Sequence, residues 1–170
     1  IHFSYVFYAV LVNIATCLIA YYCMKKISRN NFAAIVGSAM YTLSVYRLTN
    51  MYIRCAVGEY TAMTFFPLIL YGIWNIFTMD VDDKRYRTAF FIPVIGYTGL
   101  LQTHIISCEM AGIFTLLTCL IFIKRIFNRK RFLQLVLVVV FTALINAGLL
   151  IPFLSYMGEP LKINVGTTYK

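Results

Sequence analysis

Long apolar runs separated by short polar segments dominate the chain. A helix needs about 20 mostly apolar residues to cross a bilayer, and about 17–25 is the usual range. The run 88–123 is too long for one span, and we predict that it divides near the polar residues 102–104. Three further runs have a suitable length for one span each: 4–24, 61–79 and 132–153.

The run 32–46 is short, but it reaches the necessary length if the helix continues to about residue 50. All of these runs are continuously apolar and lack the alternation expected of membrane strands. In lipid, helices satisfy their own backbone hydrogen bonds. The pattern therefore predicts an all-α, polytopic transmembrane bundle in a single domain, 1–170, with about six spans at 4–24, 32–50, 61–79, 88–101, 105–123 and 132–153.

Basic residues fall mainly in alternate loops. Eleven of the 15 Lys and Arg residues lie in 25–31, 80–87 and 124–131, which the positive-inside rule places in the cytoplasm. The last two loops then share a side of the membrane, so an even number of spans separates them and 88–123 divides into two helices. The positive-inside distribution thus explains the net charge of +9. We therefore expect membrane lipids as partners, and we do not expect nucleic acid. The remaining polar segments are predicted to be external: 47–60, 102–104 and 158–170.

Composition supports a membrane protein over a soluble one with an unusually apolar core. Hydrophobic residues make up 61% of the chain and charged residues 12%, against about 45–50% and about 25% in soluble domains. The five cysteines show no metal-binding spacing, and we interpret the acidic segment 80–83 as a solvated turn. We therefore expect no metal and no cofactor. Because Ile1 is not an initiator methionine and no signal-peptide pattern follows, we interpret the chain as a fragment of a longer protein.

The segment 46–60, "YRLTNMYIRCAVGEY", concentrates charge between two apolar runs. If the second helix continues past Val45, Arg47 and Arg54 lie on one face, two turns apart. Guanidinium groups bind phosphate oxygens in a two-donor fork, so these arginines are candidates for binding a lipid phosphate, with Glu59 beside them. In the alternative interpretation, the arginines extend to the membrane interface and pair with Glu59.

Further polar residues are predicted on the same external side. His104 lies at the proposed division of 88–123, and Glu109 is the one acidic residue within an apolar run. An ionisable residue within the membrane indicates function by default, while a polar contact between helices is the structural alternative. Tyr46 and Tyr52 add hydroxyl groups at interface depth and are secondary candidates for the site.

Three stretches of this sequence resemble a family of large bacterial membrane proteins. They are "YRLTNMYIRCAVGEYTAMTFFPLILYGI", the preceding "GSAMYTLSVYRL" and the later "TALINAGLLIPFLSYM". The resemblance is to the YfhO-like proteins and the membrane family labelled 6-pyruvoyl-tetrahydropterin synthase-related. It is most specific over residues 37–72, and it implies no pterin chemistry.

This resemblance implies a fragment of a larger GT-C-like domain, with an external active site that uses a polyprenyl-phosphate-linked sugar. Arg47, Arg54 and Glu59 fall within the family's motif, and His104 resembles its polar position at a later helix start. Enzymes of this kind carry their catalytic carboxylate in the first external loop. We expect that loop upstream of Ile1, so the catalytic residue is left unassigned.

Two functions of different classes follow as hypotheses. The first is a membrane glycosyltransferase of the bacterial plasma (inner) membrane, acting in cell-envelope glycosylation. The second is a transporter or flippase for a lipid-linked or anionic substrate, and a non-catalytic membrane scaffold is a weaker third. Transporters often contain internal repeats, and we find none in this sequence.

Overall fold

The computed structural model describes the backbone of residues 2–157 and the side chains of residues 3–156. Every regular element in this part of the chain is helical, which confirms the all-α prediction. The predicted external segment 158–170 lies outside the described residues. In addition to a 3-10 helix at Lys84–Thr88, the elements are α1 (His2–Ser28), α2 (Asn31–Thr42), α3 (Val45–Tyr52), α4 (Val57–Ala62), α5 (Phe66–Thr78), α6 (Phe91–Thr103), α7 (Ile105–Ile121), α8 (Ile123–Ile126), α9 (Arg129–Ile145) and α10 (Ala147–Met157).

Fewer helices are long enough to cross a bilayer than six spans would require. The α1 segment Phe3–Ser28 has 26 residues and a mean hydropathy of 2.0. Together α4 and α5 form a second segment, Val57–Thr78, with 22 residues and a mean hydropathy of 1.3. A third exists only if α9 and α10, bent by 79°, are counted as one span. The described residues thus contain two such helices, or up to three, and the number six is not supported.

The remaining predicted spans are short or interrupted. The segment 32–50 consists of two helices, because Ser44 (φ −59°, ψ 140°) has an extended backbone between α2 and α3. The α6 helix has 13 residues, or about 20 Å at 1.5 Å per residue, against a hydrocarbon thickness of about 30 Å. The α7 helix has 17 residues. The helix break expected at 102–104 lies at His104, which has extended dihedral angles (φ −159°, ψ 103°).

The centre of the bundle is formed by α5 packed closely on α6. A Cβ atom at Gly72 of α5 would lie 2.7 Å from the backbone nitrogen of Pro93 in α6, so only glycine allows this approach. Ile76 and Leu100 are fully buried in the surrounding apolar cluster, and Val138 of α9 covers it from one side. The close packing of these side chains holds α5, α6 and α9 together.

The long helix α1 runs parallel to the α4–α5 segment. Near its start, the Tyr5 hydroxyl donates to the Met51 carbonyl oxygen at 2.7 Å. Near its end, the Tyr22 and Tyr71 rings meet edge to face with centroids 6.0 Å apart. The start of α1 therefore lies beside residues 51–61. Its last turns lie beside the last turns of α5, since Met24 and Ile27 line the same cavity as Phe77.

The three basic loops lie together at one end of the bundle. Arg125 Nη1 donates to the Phe77 carbonyl oxygen at 2.8 Å, and Lys130 pairs with Asp82 at 2.5 Å. These contacts bring the loop after α7 to the loop after α5, where α1 also ends. We call this end the basic end; it comprises residues 25–31, 79–88 and 124–131. The opposite end, comprising residues 45–60 and 102–107, is called the polar end.

Two arginines cap the C-terminus of α5. The last carbonyl groups of a helix lack partners within the helix and carry the negative end of its dipole. Arg131 donates to the carbonyl oxygens of Phe77 and, at 3.2 Å, of Met79, and Arg125 adds its bond to Phe77. The buried Tyr86 hydroxyl donates to Ile76 O at 3.3 Å, and burial raises the pKa of this hydroxyl, which keeps it a neutral donor.

Candidate functional site at the polar end

Arg47 is fully buried, and its guanidinium joins three helices. Nη1 donates to the Tyr60 carbonyl oxygen of α4 at 2.7 Å. Nη2 donates to Thr16 Oγ1 at 2.7 Å and to Asn13 Oδ1 at 3.3 Å, both in α1. Arg47 itself lies in α3, so one side chain connects α1, α3 and α4 beneath the polar end.

Neutral oxygen atoms surround this buried charge. Among residues 3–156, no carboxylate forms an ion pair with Arg47. A buried cation is costly unless hydrogen bonds compensate for the water it has lost, and the contacts to Asn13, Thr16 and Tyr60 supply that compensation. In this arrangement Arg47 directs its donors into the protein and holds the helices together.

Asn13 and Thr16 were not among the residues predicted for this region. Both interrupt the apolar run 4–24, and they lie three residues apart, on neighbouring positions of one helix face. Polar side chains within an apolar span form contacts between helices. That pattern indicates a polar partner for α1, but it does not identify Arg47 as the partner.

The expectation that Arg47 and Arg54 share one helix face does not hold. The α3 helix ends at Tyr52, and the Arg54 N–H bonds back to the Thr49 carbonyl oxygen at 2.9 Å. Cys55 then adopts a left-handed backbone with φ 51°. This turn directs Arg54 outward, whereas Arg47 remains in the helix and points inward.

Arg54 is held in place while much of its side chain stays accessible. Its Nη1 atom lies 3.2 Å from Glu59 Oε2 and donates to Asn50 Oδ1 at 2.8 Å. The Arg54 side chain is 54% exposed and that of Glu59 only 16%. Neither Nε nor Nη2 of Arg54 has a hydrogen-bond partner among the described residues.

The two secondary candidates differ in their contacts. The Tyr46 hydroxyl donates to Glu59 Oε1, so both oxygens of this carboxylate are occupied, one by Tyr46 and the other by Arg54. Tyr52 is exposed, and its hydroxyl has no hydrogen-bond partner in the described part of the chain. The structure therefore joins Tyr46 to the Arg54–Glu59 pair and leaves Tyr52 outside it.

His104 lies beside the same segment through a close approach of two backbones. A Cβ atom on Gly58 would lie 2.7 Å from the Thr103 carbonyl oxygen and 3.9 Å from His104 Cδ2. The start of α7 is thus next to Gly58, one residue before Glu59. The Ser107 N–H donates to His104 Nδ1 at 3.3 Å, and the Ser107 hydroxyl oxygen lies 2.8 Å from the same nitrogen, so Nδ1 is occupied by the first turn of α7.

Glu109 is not part of this cluster. It is exposed on α7, whereas Ala111, two residues later and about 200° around the helix, is buried against the bundle. Within residues 3–156 Glu109 forms no ion pair, and it makes no contact with Arg54 or Glu59 through hydrogen bonds. Its neighbours on the exposed face are apolar, among them Ile106 and Ile113.

The polar end thus presents one accessible guanidinium, a carboxylate that orients it, and a nearby imidazole. In the described residues no group of three or more metal-ligating side chains accompanies them. An exposed guanidinium with free N–H donors binds phosphate or carboxylate oxygens. Searches against protein-family models, characterised proteins and solved structures found no match to this chain.

Proposed function

We propose that this chain is a multi-pass protein of the bacterial inner membrane whose polar end binds the phosphate of a lipid-linked sugar. The basic end, which contains 25–31, 80–87 and 124–131, faces the cytoplasm, and the polar end faces outward. The observation that carries the proposal is Arg54, which Glu59 and Asn50 hold in position while its Nε and Nη2 donors remain free.

Exposed apolar surface supports the membrane location. Large hydrophobic side chains are exposed along α1, α7 and α9, including Leu18 at 63%, Phe114 at 73% and Val139 at 69%. Extensive exposed apolar surface of this kind is unfavourable in water. The hydrocarbon core of a bilayer would cover it without cost to the helices, whose backbone groups are already paired.

The activity we propose is sugar transfer from a polyprenyl-phosphate donor in a GT-C-like membrane glycosyltransferase that acts on the cell envelope. Leaving-group phosphate gains negative charge in such a reaction, and preorganised donors that meet this charge lower the barrier. Arg54 supplies a charged donor, and we assign the His104 imidazole, which lies beside Gly58, as a second contact to the phosphate. Glu59 is occupied by Arg54 and Tyr46, so we assign it to positioning and not to proton abstraction.

Binding of undecaprenyl phosphate to the purified chain in detergent tests this proposal. We expect Arg54→Ala to weaken binding about 10- to 150-fold, because a hydrogen bond to a charged group contributes about 1.5–3 kcal/mol. Arg54→Lys should also weaken it, since lysine lacks the planar two-donor fork. Lys130→Gln, at the basic end, serves as the control with equal loss of charge. Unchanged binding in Arg54→Ala would refute the proposal, and full rescue by lysine would reduce it to a requirement for charge.

A transporter or flippase is the second candidate, and one feature favours it. The α9–α10 pair breaks at Asn146 with a bend of 79°, and broken helices line substrate sites in many transporters. Reconstituted vesicles separate the two functions. Movement of a labelled lipid-linked sugar across the bilayer without an acceptor would favour transport, whereas covalent transfer of the label to an acceptor would favour the enzyme.

A further inference from the structure

An apolar groove of about 420 Å³ runs along the bundle between α1, α5 and α7. Its lining includes Met24 of α1, Trp74 of α5 and Phe114 of α7. On α7 the lining residues extend from Met110 to Phe122, a rise of about 18 Å at 1.5 Å per residue. This length and the apolar lining fit a hydrocarbon chain that lies parallel to the helices.

One end of the groove carries an exposed arginine. The rings of Phe77 and Phe122, both of which line the groove, stack with centroids 5.2 Å apart. The Arg125 guanidinium lies 5.3 Å from the centroid of the Phe122 ring, and its Nη1 donates to the Phe77 carbonyl oxygen at 2.8 Å. These two contacts locate Arg125 at the mouth of the groove, on the basic end.

The surrounding positive charge is largely unneutralised. Arg131 is engaged with the end of α5, and Lys130 is paired with Asp82. The other basic side chains of this end are exposed and form no ion pair within residues 3–156: Lys25, Lys26, Arg29, Lys84, Arg85, Arg87, Lys124 and Arg129. An occupant of the groove therefore has strongly positive surroundings at this end.

We propose that the groove binds an anionic phospholipid, with one acyl chain along α5 and α7 and the phosphate against Arg125. Nη2 of Arg125 has no hydrogen-bond partner among the described residues and is available to a phosphate oxygen. Lys124, the preceding residue, is exposed and adds positive charge beside this contact. This site rests on the proposed membrane location, but it lies at the opposite end from Arg54.

Trp74 provides a direct readout, because it is the single tryptophan of the chain and lines the groove. Lipids with brominated acyl chains quench tryptophan fluorescence on contact. The chain is reconstituted into phosphatidylcholine vesicles that contain equal mole fractions of either brominated phosphatidylglycerol or brominated phosphatidylcholine. We expect about fivefold stronger apparent binding of phosphatidylglycerol, which corresponds to about 1 kcal/mol.

Three variants test whether the preference for phosphatidylglycerol depends on Arg125 and on the groove. Arg125→Gln removes the proposed phosphate contact and should abolish the preference, and Lys130→Gln, with the same loss of charge in an existing ion pair, should retain it. Thr118→Phe narrows the groove and should also abolish the preference. The Thr118 hydroxyl bonds only to Phe114 O within its own helix, at 2.8 Å, so its loss breaks no contact between helices. If Arg125→Gln loses helicity by circular dichroism, Thr118→Phe therefore tests the groove in its place.

Equal quenching by the two lipids in the unmodified chain would overturn the proposal. A preference that survives Thr118→Phe would overturn it too. Equal losses in Arg125→Gln and Lys130→Gln would show general attraction to the basic end and would also reject a specific site. Binding of undecaprenyl phosphate at the polar end should remain unchanged in Arg125→Gln, so failure here is distinguishable from failure of the proposed function.

Discussion

At the scale of single residues, burial separates the two arginines of the 46–60 segment. Arg47 has no exposed surface and bonds to Asn13, Thr16 and Tyr60, while the Arg54 side chain is 54% exposed. The same residue type therefore stabilises the helices in one position and is available to a ligand in the other.

Substitution of Arg47 should destabilise the fold strongly. Arg47→Met removes the charged donor that bonds to the Tyr60 carbonyl oxygen and to the buried Thr16 hydroxyl, and we expect a loss of about 1–3 kcal/mol in the free energy of unfolding. Unfolding of the detergent-solubilised chain in increasing denaturant, followed by circular dichroism, measures it. Arg54→Met is the matched control and should change the unfolding free energy by no more than about 0.5 kcal/mol. Equal effects of the two substitutions would contradict the assignment.

Gly58 should tolerate no side chain. The Cβ of Gly58→Ala would lie 2.7 Å from the Thr103 carbonyl oxygen, and a backbone atom cannot move aside as the end of a side chain can. We expect a loss of about 1–3 kcal/mol in unfolding free energy and weaker binding of undecaprenyl phosphate, because α4 and His104 must separate.

The control for Gly58 is Gly112, where an added Cβ meets nothing within 4 Å. Gly112→Ala should stabilise α7 by about 0.5–1 kcal/mol, since alanine loses less backbone entropy than glycine in a helix. The same denaturant series compares the two. Destabilisation by Gly112→Ala as large as that by Gly58→Ala would show a general requirement for glycine rather than a close approach.

At the scale of elements, helix ends determine where the chain turns and what the turns bind. The C-terminus of α5 meets Arg125 and Arg131, whereas the start of α7 is capped by His104. One end thus uses cations to satisfy carbonyl groups, and the other uses an imidazole nitrogen to accept a backbone N–H.

Removal of the α5 cap should have a measurable cost. Arg131→Gln deprives Phe77 and Met79 of a charged donor at the negative end of the helix dipole, and we expect a loss of about 2 kcal/mol in unfolding free energy. Arg129→Gln removes the same charge from an exposed position of the same helix turn and should have little effect. Thermal unfolding of both variants measures the difference, and equal melting temperatures would exclude a capping role for Arg131.

At the scale of the whole molecule, the two ends of the bundle differ in chemistry. The contacts of Arg125 with Phe77 and of Lys130 with Asp82 place the basic loops at one end. Gly58 beside Thr103 joins the polar segments at the other. This polarity is a geometric property of the fold, and under the proposed function the basic end faces the cytoplasm.

Cysteine labelling on intact cells tests that orientation. The native Cys55 is exposed at the polar end and should react with a membrane-impermeant thiol reagent added outside. In a background without native cysteines, Asp83→Cys at the basic end should react only after the cells are opened. Labelling of Asp83→Cys but not of Cys55 from outside would reverse the proposed topology. Labelling of both positions from outside would refute a membrane-spanning arrangement between them.

The sequence by itself determined the helical class, because continuous apolar runs leave no alternation for strands. Because the basic residues fall in every second loop, the sequence also predicted that these loops share one side. The basic loops do lie at one end of the structure. The sequence likewise located the helix break near His104, where polar residues interrupt a run too long for one span. These features depend on residues close in the chain, whose local propensity and spacing can be read directly.

Only the tertiary structure decided which arginine is accessible and how many helices are long enough to span a bilayer. The inward direction of Arg47 depends on Asn13 and Thr16, more than 30 residues earlier. The outward direction of Arg54 depends on the turn at Cys55, which has a φ of 51°. No residue pattern in the sequence predicts this left-handed backbone. The extended backbone at Ser44 and the bend between α9 and α10 shorten runs that composition alone treats as continuous. Hydropathy indicates whether a segment prefers water or an apolar environment. The direction of the backbone and the long-range partners of a side chain depend on tertiary packing, and that packing determined the arrangement of Arg54 and Glu59 at the polar end.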